Sequence, residues 1–148
     1  MGTVTPLRLA IQLAVQSDFH IGTGAGIGRV VDAAVRVDRY GRPVIPGATL
    51  KGLARDEARR LCEAYPALRA SEAERRIFGE AGRMQGSVFF GNATPGPGWV
   101  PPRVHGRSAR DRQTGRALDD HLFRFEDAAT GIFHAEITSD EPLDEAAT

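Results

Sequence analysis

Cys62 is the one thiol in this chain of 148 residues. It excludes a disulfide framework and a cysteine-based zinc site, and its place in a helical stretch marks it as a small core residue. Long apolar runs are missing too. No segment approaches the roughly 18 consecutive apolar residues of a membrane span. Arg8 and Gln12 interrupt the apolar stretch that an N-terminal secretory signal would need. These absences lead to the expectation of a soluble, cytoplasmic protein with no membrane partner. An H-x-x-H spacing is lacking, as is any Ser-His-Asp arrangement, so neither a histidine-ligated zinc hydrolase nor a serine hydrolase is indicated. Lysine is nearly absent, Lys51 standing alone beside 18 arginines.

Net charge is also absent, with 19 basic and 19 acidic residues, but the balance holds only for the whole chain. Residues 117–148 hold nine acids and one base, Arg124, whereas residues 1–116 hold 18 bases and ten acids. A chain of +8 followed by −8 suggests a polyanion-facing surface joined to an acidic tail. Arginine offers phosphate a rigid two-pronged fork, although a genome that favours arginine everywhere would raise the count as well.

What the chain has in quantity is apolar residues (41%), 17 glycines and nine prolines. This composition fits one folded domain, rich in turns and containing β-structure. Leu7, Leu9, Ile11, Leu13 and Val15 alternate, which predicts a strand with one buried face. Residues 30–37 (VVDAAVRV) predict a second strand. From Thr49 to Tyr65, Leu50, Leu53, Ala54, Ala58, Leu61 and Cys62 recur at helical spacing, and Pro66 ends the helix. A shorter helix is expected over about 71–78, with Ser71 and Glu74 as a capping box. Residues 86–90 predict a strand. Residues 103–120 are polar, arginine-rich and without clear period, and two more strands are expected at 121–126 and 131–138. Ser139 or Asp140 would then cap a helix. The order predicts an α+β fold, a single sheet with helices on one face, whose closing helix and strand are not found within the chain.

Four features carry possible chemistry. The loop GTGAGIG (22–28) does not meet the dinucleotide spacing and precedes a strand, so it fits close approach of backbone to a ligand or partner better than a nucleotide fingerprint. In IPGATLKG (45–52) a strand ends, the chain turns, and a helix begins where free amides, the Thr49 hydroxyl and Lys51 can face one anion. The segment RVHGRSARDRQTGR (103–116) holds five arginines against Asp111 and suggests a basic hairpin over a phosphate backbone. Asp32 interrupts a strand otherwise made of valine and alanine. It could hold a divalent ion together with water and substrate phosphate, or act as a general base, while a solvent-facing strand residue is the plainer reading. His20 precedes the glycine loop and could touch a ligand.

FHIGTGAGIG, VVDAAV, VIPGATLKGLARDEAR, IFGE, GSVFFGNA and ARDRQTGRA occur in one order. On these motifs the sequence resembles the RAMP superfamily, specifically the repeated backbone subunit of type III CRISPR–Cas effector complexes. The resemblance covers about residues 7–138. It implies a ferredoxin-like (RRM-like) core as a single domain over 1–148, with a β-hairpin thumb inserted at about 94–121. It implies an RNA-binding set comprising His20, Gly22, Gly24, Gly26, Gly47, Thr49, Lys51, Arg55, Arg103, Arg107, Arg110 and Arg112. Asp32 falls where the target-slicing subunits carry their catalytic aspartate, which works with a transient Mg²⁺ or Mn²⁺. Guide RNA, target RNA, copies of the chain or related subunits, and other effector subunits are the implied partners. The family's second helix and the Gly/Arg-rich loop before its last strand are not matched, so the domain is expected to be C-terminally incomplete. The rival expectations are a non-catalytic scaffold of the same complex, a metal-independent guide-processing endoribonuclease using His20 as base, and a protein-interaction module.

Overall fold

The computed structural model describes residues 7–28, 31–65, 72–110 and 112–139. The elements, in chain order, are β1 (Leu7–Val15), α1 (Gly47–Ala64), α2 (Glu72–Phe78), β2 (Gly79–Glu80), β3 (Met84–Gln85), β4 (Val88–Phe90), β5 (Thr94–Pro95), β6 (Arg103–Arg110), β7 (Ala117–Asp127) and β8 (Gly131–Ser139). The chain is α+β. Its residues gather into two compact units, one drawn from Met1–Gln12, Ile45–Ala93 and His134–Thr148, the other from Leu13–Val44 and Thr94–Phe133.

In the first unit β1, β8 and β4 lie side by side in that order. Strand β4 runs antiparallel to β8, with Val88 opposite Ser139 and Phe90 opposite Ile137. Ile45, Leu50, Val88 and Ala93 are buried, and Ser139 closes the strand with its hydroxyl donated to the Ser87 carbonyl. Ser139 is thus a buried strand residue and not a helix cap, because its hydroxyl already has an acceptor across the sheet. The rest of that expected helix, together with the Ser71 cap and Pro66, lies outside the described residues. Helix α1 starts at Gly47, two residues before the position expected, with Pro46 as its N-cap. Only Gly47 and Leu50 of α1 are buried; Leu53 is 63% exposed and Leu61 45%. Ala54, Ala58 and Cys62 are half-buried, so the expected apolar face is fully covered only at its N-terminal end. Strand β1 alternates as expected except at Leu9, which is exposed, and none of its residues is fully buried.

The second unit has its core in Val31, Ala34, Val35, Val44, Ala128 and Phe133, with Phe19 edge-on to Phe133 at 5.5 Å. Strands β6 and β7 form a long antiparallel hairpin from Arg103↔Asp127 to Arg110↔Ala117, with one irregularity between Ser108 and Arg110. The basic hairpin expected from the arginine count is present, but its second strand runs unbroken to Asp127. Residues 121–126 are the base of that strand and not a separate element. The expected strand at 30–37 is a chain of single bridges, Gly22↔Val35, Ile27↔Val31, Ala33↔Phe125 and Val37↔Pro43. Its residues pair in turn with the glycine loop, β7 and the following turn, so no continuous ladder forms. In that turn the Asp38 carboxylate accepts the amides of Tyr40 and Arg42 and the Arg42 guanidinium. Among the described residues no helix is long and apolar enough to cross a membrane.

Candidate functional site

Asp32 sits in the second unit, exposed, between buried Val31 and half-buried Ala33. Its placement is set by main chain. The Asp32 amide donates to the Arg124 carbonyl at 2.8 Å, and the Arg124 amide donates to Asp32 Oδ2 at 2.7 Å. The Ala33 amide shares the Arg124 carbonyl at 3.2 Å, and the Glu126 amide donates to Ala33 O at 2.9 Å. Three bonds in two residues leave this backbone little freedom, and the second carboxylate oxygen of Asp32 has no partner among the described residues.

The glycine loop is folded back on the segment that carries Asp32. Ile27 and Val31 exchange amide–carbonyl bonds, Thr23 N donates to Ala34 O, and Ala34 N donates to Ala25 O. At Gly26 a side chain would collide with the Val31 carbonyl. At Gly26 the close backbone approach is made to its own chain, while Gly24 and Gly28 are open. Together the loop and the strand segment line a cavity of about 250 Å³ bounded by His20, Gly22, Gly24, Ala25, Asp32, Ala33 and Ala34. His20, Gly22, Gly24 and Asp32 of the expected set are thereby brought together.

His20 Nδ1 lies 2.6 Å from the Glu126 carbonyl. A carbonyl only accepts, so Nδ1 carries a proton, and in the neutral ring Nε2 is left as an acceptor. His20 also borders a second cavity of about 270 Å³, lined by Ala33, Arg107, Phe123, Phe125 and Asp127. Arg107 lies over the Phe125 ring at 4.4 Å, Phe123 is stacked alongside at 6.5 Å, and His105 is tilted against Phe125 at 5.8 Å. Sequence reasoning does not single out Phe123 or Phe125, because aromatic residues in a strand look like core. The available signal is their i, i+2 spacing, which puts both on one face of a strand opposite an arginine-rich one.

The remaining expected contacts fall elsewhere. In the first unit Gly47 is packed so tightly against the Phe90 carbonyl that no side chain could enter. Its amide donates to Asn92 Oδ1 at 2.9 Å, and the Thr49 amide turns back to the Pro46 carbonyl. Two amides of this helix start are therefore already partnered. Lys51 and Arg55 border an open bowl of about 550 Å³ with Phe78 and the β2–β3 hairpin Gly79–Gly86. Arg55, however, is bound to Glu74 Oε1 at 3.2 Å and to the Gly79 carbonyl, and lies over Phe78 at 5.7 Å. It ties α1 to α2 and β2. Arg103, Arg107 and Arg112 are exposed on the β6–β7 hairpin. The side chain of Arg110 lies outside the described residues.

Among the described residues no three of His, Cys, Asp and Glu lie close enough to hold a metal ion. Asp32 is the one carboxylate bordering the glycine-loop cavity, with one oxygen open. That donor set suits a transient Mg²⁺ that keeps waters and takes phosphate oxygens, and does not suit a resident ion in an all-protein cage.

A family model described as the RAMP superfamily matches residues 12–146, and the chain belongs to that superfamily. The fold agrees. A structure described as the type III-B Cmr-beta bound to cognate target RNA matches with a TM-score of 0.65 at 18% identity, over 93% of this chain and 48% of the other. A Cmr-beta structure in the apo state matches with a TM-score of 0.71 at 11% identity, over 90% of this chain and 84% of the other. The chain spans about half the length of the first of these and most of the second. The likeness gives the RAMP, ferredoxin-like architecture that the motifs implied. No curated protein matches the chain.

Proposed function

We propose that this chain is an RNA-binding backbone subunit of a type III CRISPR effector complex and that it cleaves guide-paired target RNA through Asp32. The observation that carries the reading is an exposed carboxylate, fixed through main-chain bonds to Arg124, on the wall of a glycine-lined cavity in a RAMP fold. Its partners are guide RNA, target RNA, copies of itself or related RAMP subunits, and other effector subunits. Lys51 and the hairpin arginines Arg103, Arg107 and Arg112 supply the positive charge for the phosphate backbone. Gly47 and Arg55 serve Lys51 indirectly, by shaping the start of α1 and its neighbours.

A Mg²⁺ or Mn²⁺ held between Asp32 and the RNA would supply Lewis-acid polarisation of a phosphoryl oxygen. The chain's own contribution is positional. Asp32 stays put because its amide and one carboxylate oxygen are engaged, and the open oxygen faces no competing described group. The closed glycine loop lets RNA backbone come near without side chains in the way.

A second reading, a scaffold subunit that binds RNA without cutting it, is favoured by the structural use of Asp32 Oδ2 as acceptor for the Arg124 amide. The test is cleavage of guide-paired target RNA by the reconstituted complex, with Mg²⁺ and with EDTA. Cuts at regular intervals that vanish in EDTA support the slicer. Tight target binding without cuts makes the chain a scaffold. Cleavage of precursor guide RNA in EDTA would instead favour a metal-independent nuclease.

A further inference from the structure

The cavity under the hairpin is separate from the glycine-loop cavity, though His20 and Ala33 border both. Its chemistry is unlike that of a phosphate site. Two phenyl rings, Phe123 and Phe125, provide flat apolar surface, and Phe123 is 47% exposed. Arg107 is stacked over Phe125 and forms no ion pair with a described residue. Asp127 has a side chain only 22% exposed, and its nearest ionic neighbour, His105 Nε2, stands 3.9 Å away. That is beyond hydrogen-bond length, and the carboxylate takes no hydrogen bond from a described residue. Neither oxygen is fully buried, which leaves the half-buried carboxylate open to N–H donors that a ligand brings. His20 lines the cavity as well, its Nδ1 held by the Glu126 carbonyl.

We infer that this cavity is a nucleobase subsite with a preference for guanine, formed by Phe123, Phe125, Arg107, His20 and Asp127. Its size, about 270 Å³, falls just under the range of roughly 300–1,000 Å³ that takes drug-sized ligands, and suits one base. Aromatic faces stack with any base, so the preference comes from the edges. A carboxylate that lacks donors matches a base with two adjacent N–H groups, and guanine has them in N1–H and N2–H. Adenine, cytosine and uracil each place an acceptor beside their donor, where it would meet the carboxylate's negative charge. Guanine O6 and N7, on its other edge, are the usual acceptors for an arginine fork, and Arg107 offers one.

The inference takes its ligand class from the RNA-binding reading but not from cleavage. The test titrates the full chain with guanosine, adenosine, cytidine and uridine 5′-monophosphates, following the NMR signals of the Ala33 methyl and the Phe123 and Phe125 rings. It repeats the titration with an adenosine hexanucleotide and the same hexamer carrying one guanosine. The expected result is binding of the guanosine probe about tenfold or more tighter than the others. Asp127→Asn should remove the preference, while Lys51→Ala should weaken the hexamers equally and leave the preference intact. Should Asp127→Asn not fold, Arg107→Met on an exposed position tests the preference from the base's other edge. Equal binding of all four probes, no binding, or shifts confined to residues outside the cavity overturns the subsite. Hexamers that bind without base preference leave the RNA-binding reading standing and sink the subsite. A guanosine preference without hexamer binding does the reverse.

Discussion

Asp32 and Arg124 hold each other twice: the amide of each donates to the other, once to a main-chain carbonyl and once to a side-chain carboxylate. The carboxylate therefore has a structural duty along with the catalytic one proposed for it, and the two can be separated. Asp32→Asn keeps an oxygen that can accept the Arg124 amide but loses the charge. It should hold the melting temperature within a degree or two of wild type and abolish target-RNA cleavage. Asp32→Ala should cost about 1 kcal/mol for the lost acceptor, and abolish cleavage too. Periodic cuts by a folded Asn variant would remove Asp32 from the chemistry.

Gly47 should tolerate no side chain. Gly47→Ala drives a methyl group into the Phe90 carbonyl, and a loss of about 3 kcal/mol is expected from denaturant unfolding. Asn92→Ala leaves the Gly47 amide without its acceptor and should cost about 1 kcal/mol. An unchanged midpoint for the glycine variant would show that α1 can shift away from β4.

Two arginines that look alike in the sequence should behave differently. Arg55→Ala loses contacts to Glu74, the Gly79 carbonyl and Phe78, and should lower stability by about 1–2 kcal/mol. Arg107→Ala, on an exposed hairpin position, should leave stability nearly unchanged. It should weaken RNA binding and reduce the slope of log affinity against log salt by about 1. Calorimetry paired with a salt series on the same two variants checks this. The reverse pattern would move RNA contact to α1.

The turn at Asp38 should make the protein acid-sensitive. Desolvation works to raise its pKa, but hydrogen bonds from the Arg42 amide and guanidinium and the Tyr40 amide, with the Arg42 charge, outweigh it and hold the carboxyl below its ordinary 3.8. A depressed folded-state pKa contributes stability above the unfolded value and loses it as pH falls through the folded one. Asp38→Asn should therefore lower stability at neutral pH and flatten the loss seen below about pH 4. Parallel acid limbs for variant and wild type in urea midpoints would contradict this.

The candidate site is legible in the sequence only in part, and the reason differs by residue. Asp32 stood out because a carboxylate among valines and alanines breaks a strand pattern. Lys51 stood out because lysine is otherwise missing. The family resemblance puts Arg55 in the RNA-binding set, whereas Glu74, nineteen positions on, is not visible in the sequence as its partner. Gly47 looked ligand-facing, although what approaches it is the chain's own Phe90 carbonyl. The strand at 117–127 is hidden at its polar start, since the residues ALDDH show no alternation of apolar and polar. Its base, where Phe123 and Phe125 lie, looked like core for want of any sign that they face a cavity.

The irregularity between Ser108 and Arg110 separates the hairpin into a measured part and a free part. Below it, from Arg103↔Asp127 to Ser108↔Leu122, every pair is in step, and this stretch carries Arg124, Phe125 and Asp127. Strand β7 thus works as a ruler whose marks are its residues: one position clasps Asp32, the next backs the aromatic cavity, and their spacing is set by the strand's own rise. The spacing between the Asp32 clasp and the aromatic cavity is therefore set within β7 itself, independently of the tip beyond the irregularity.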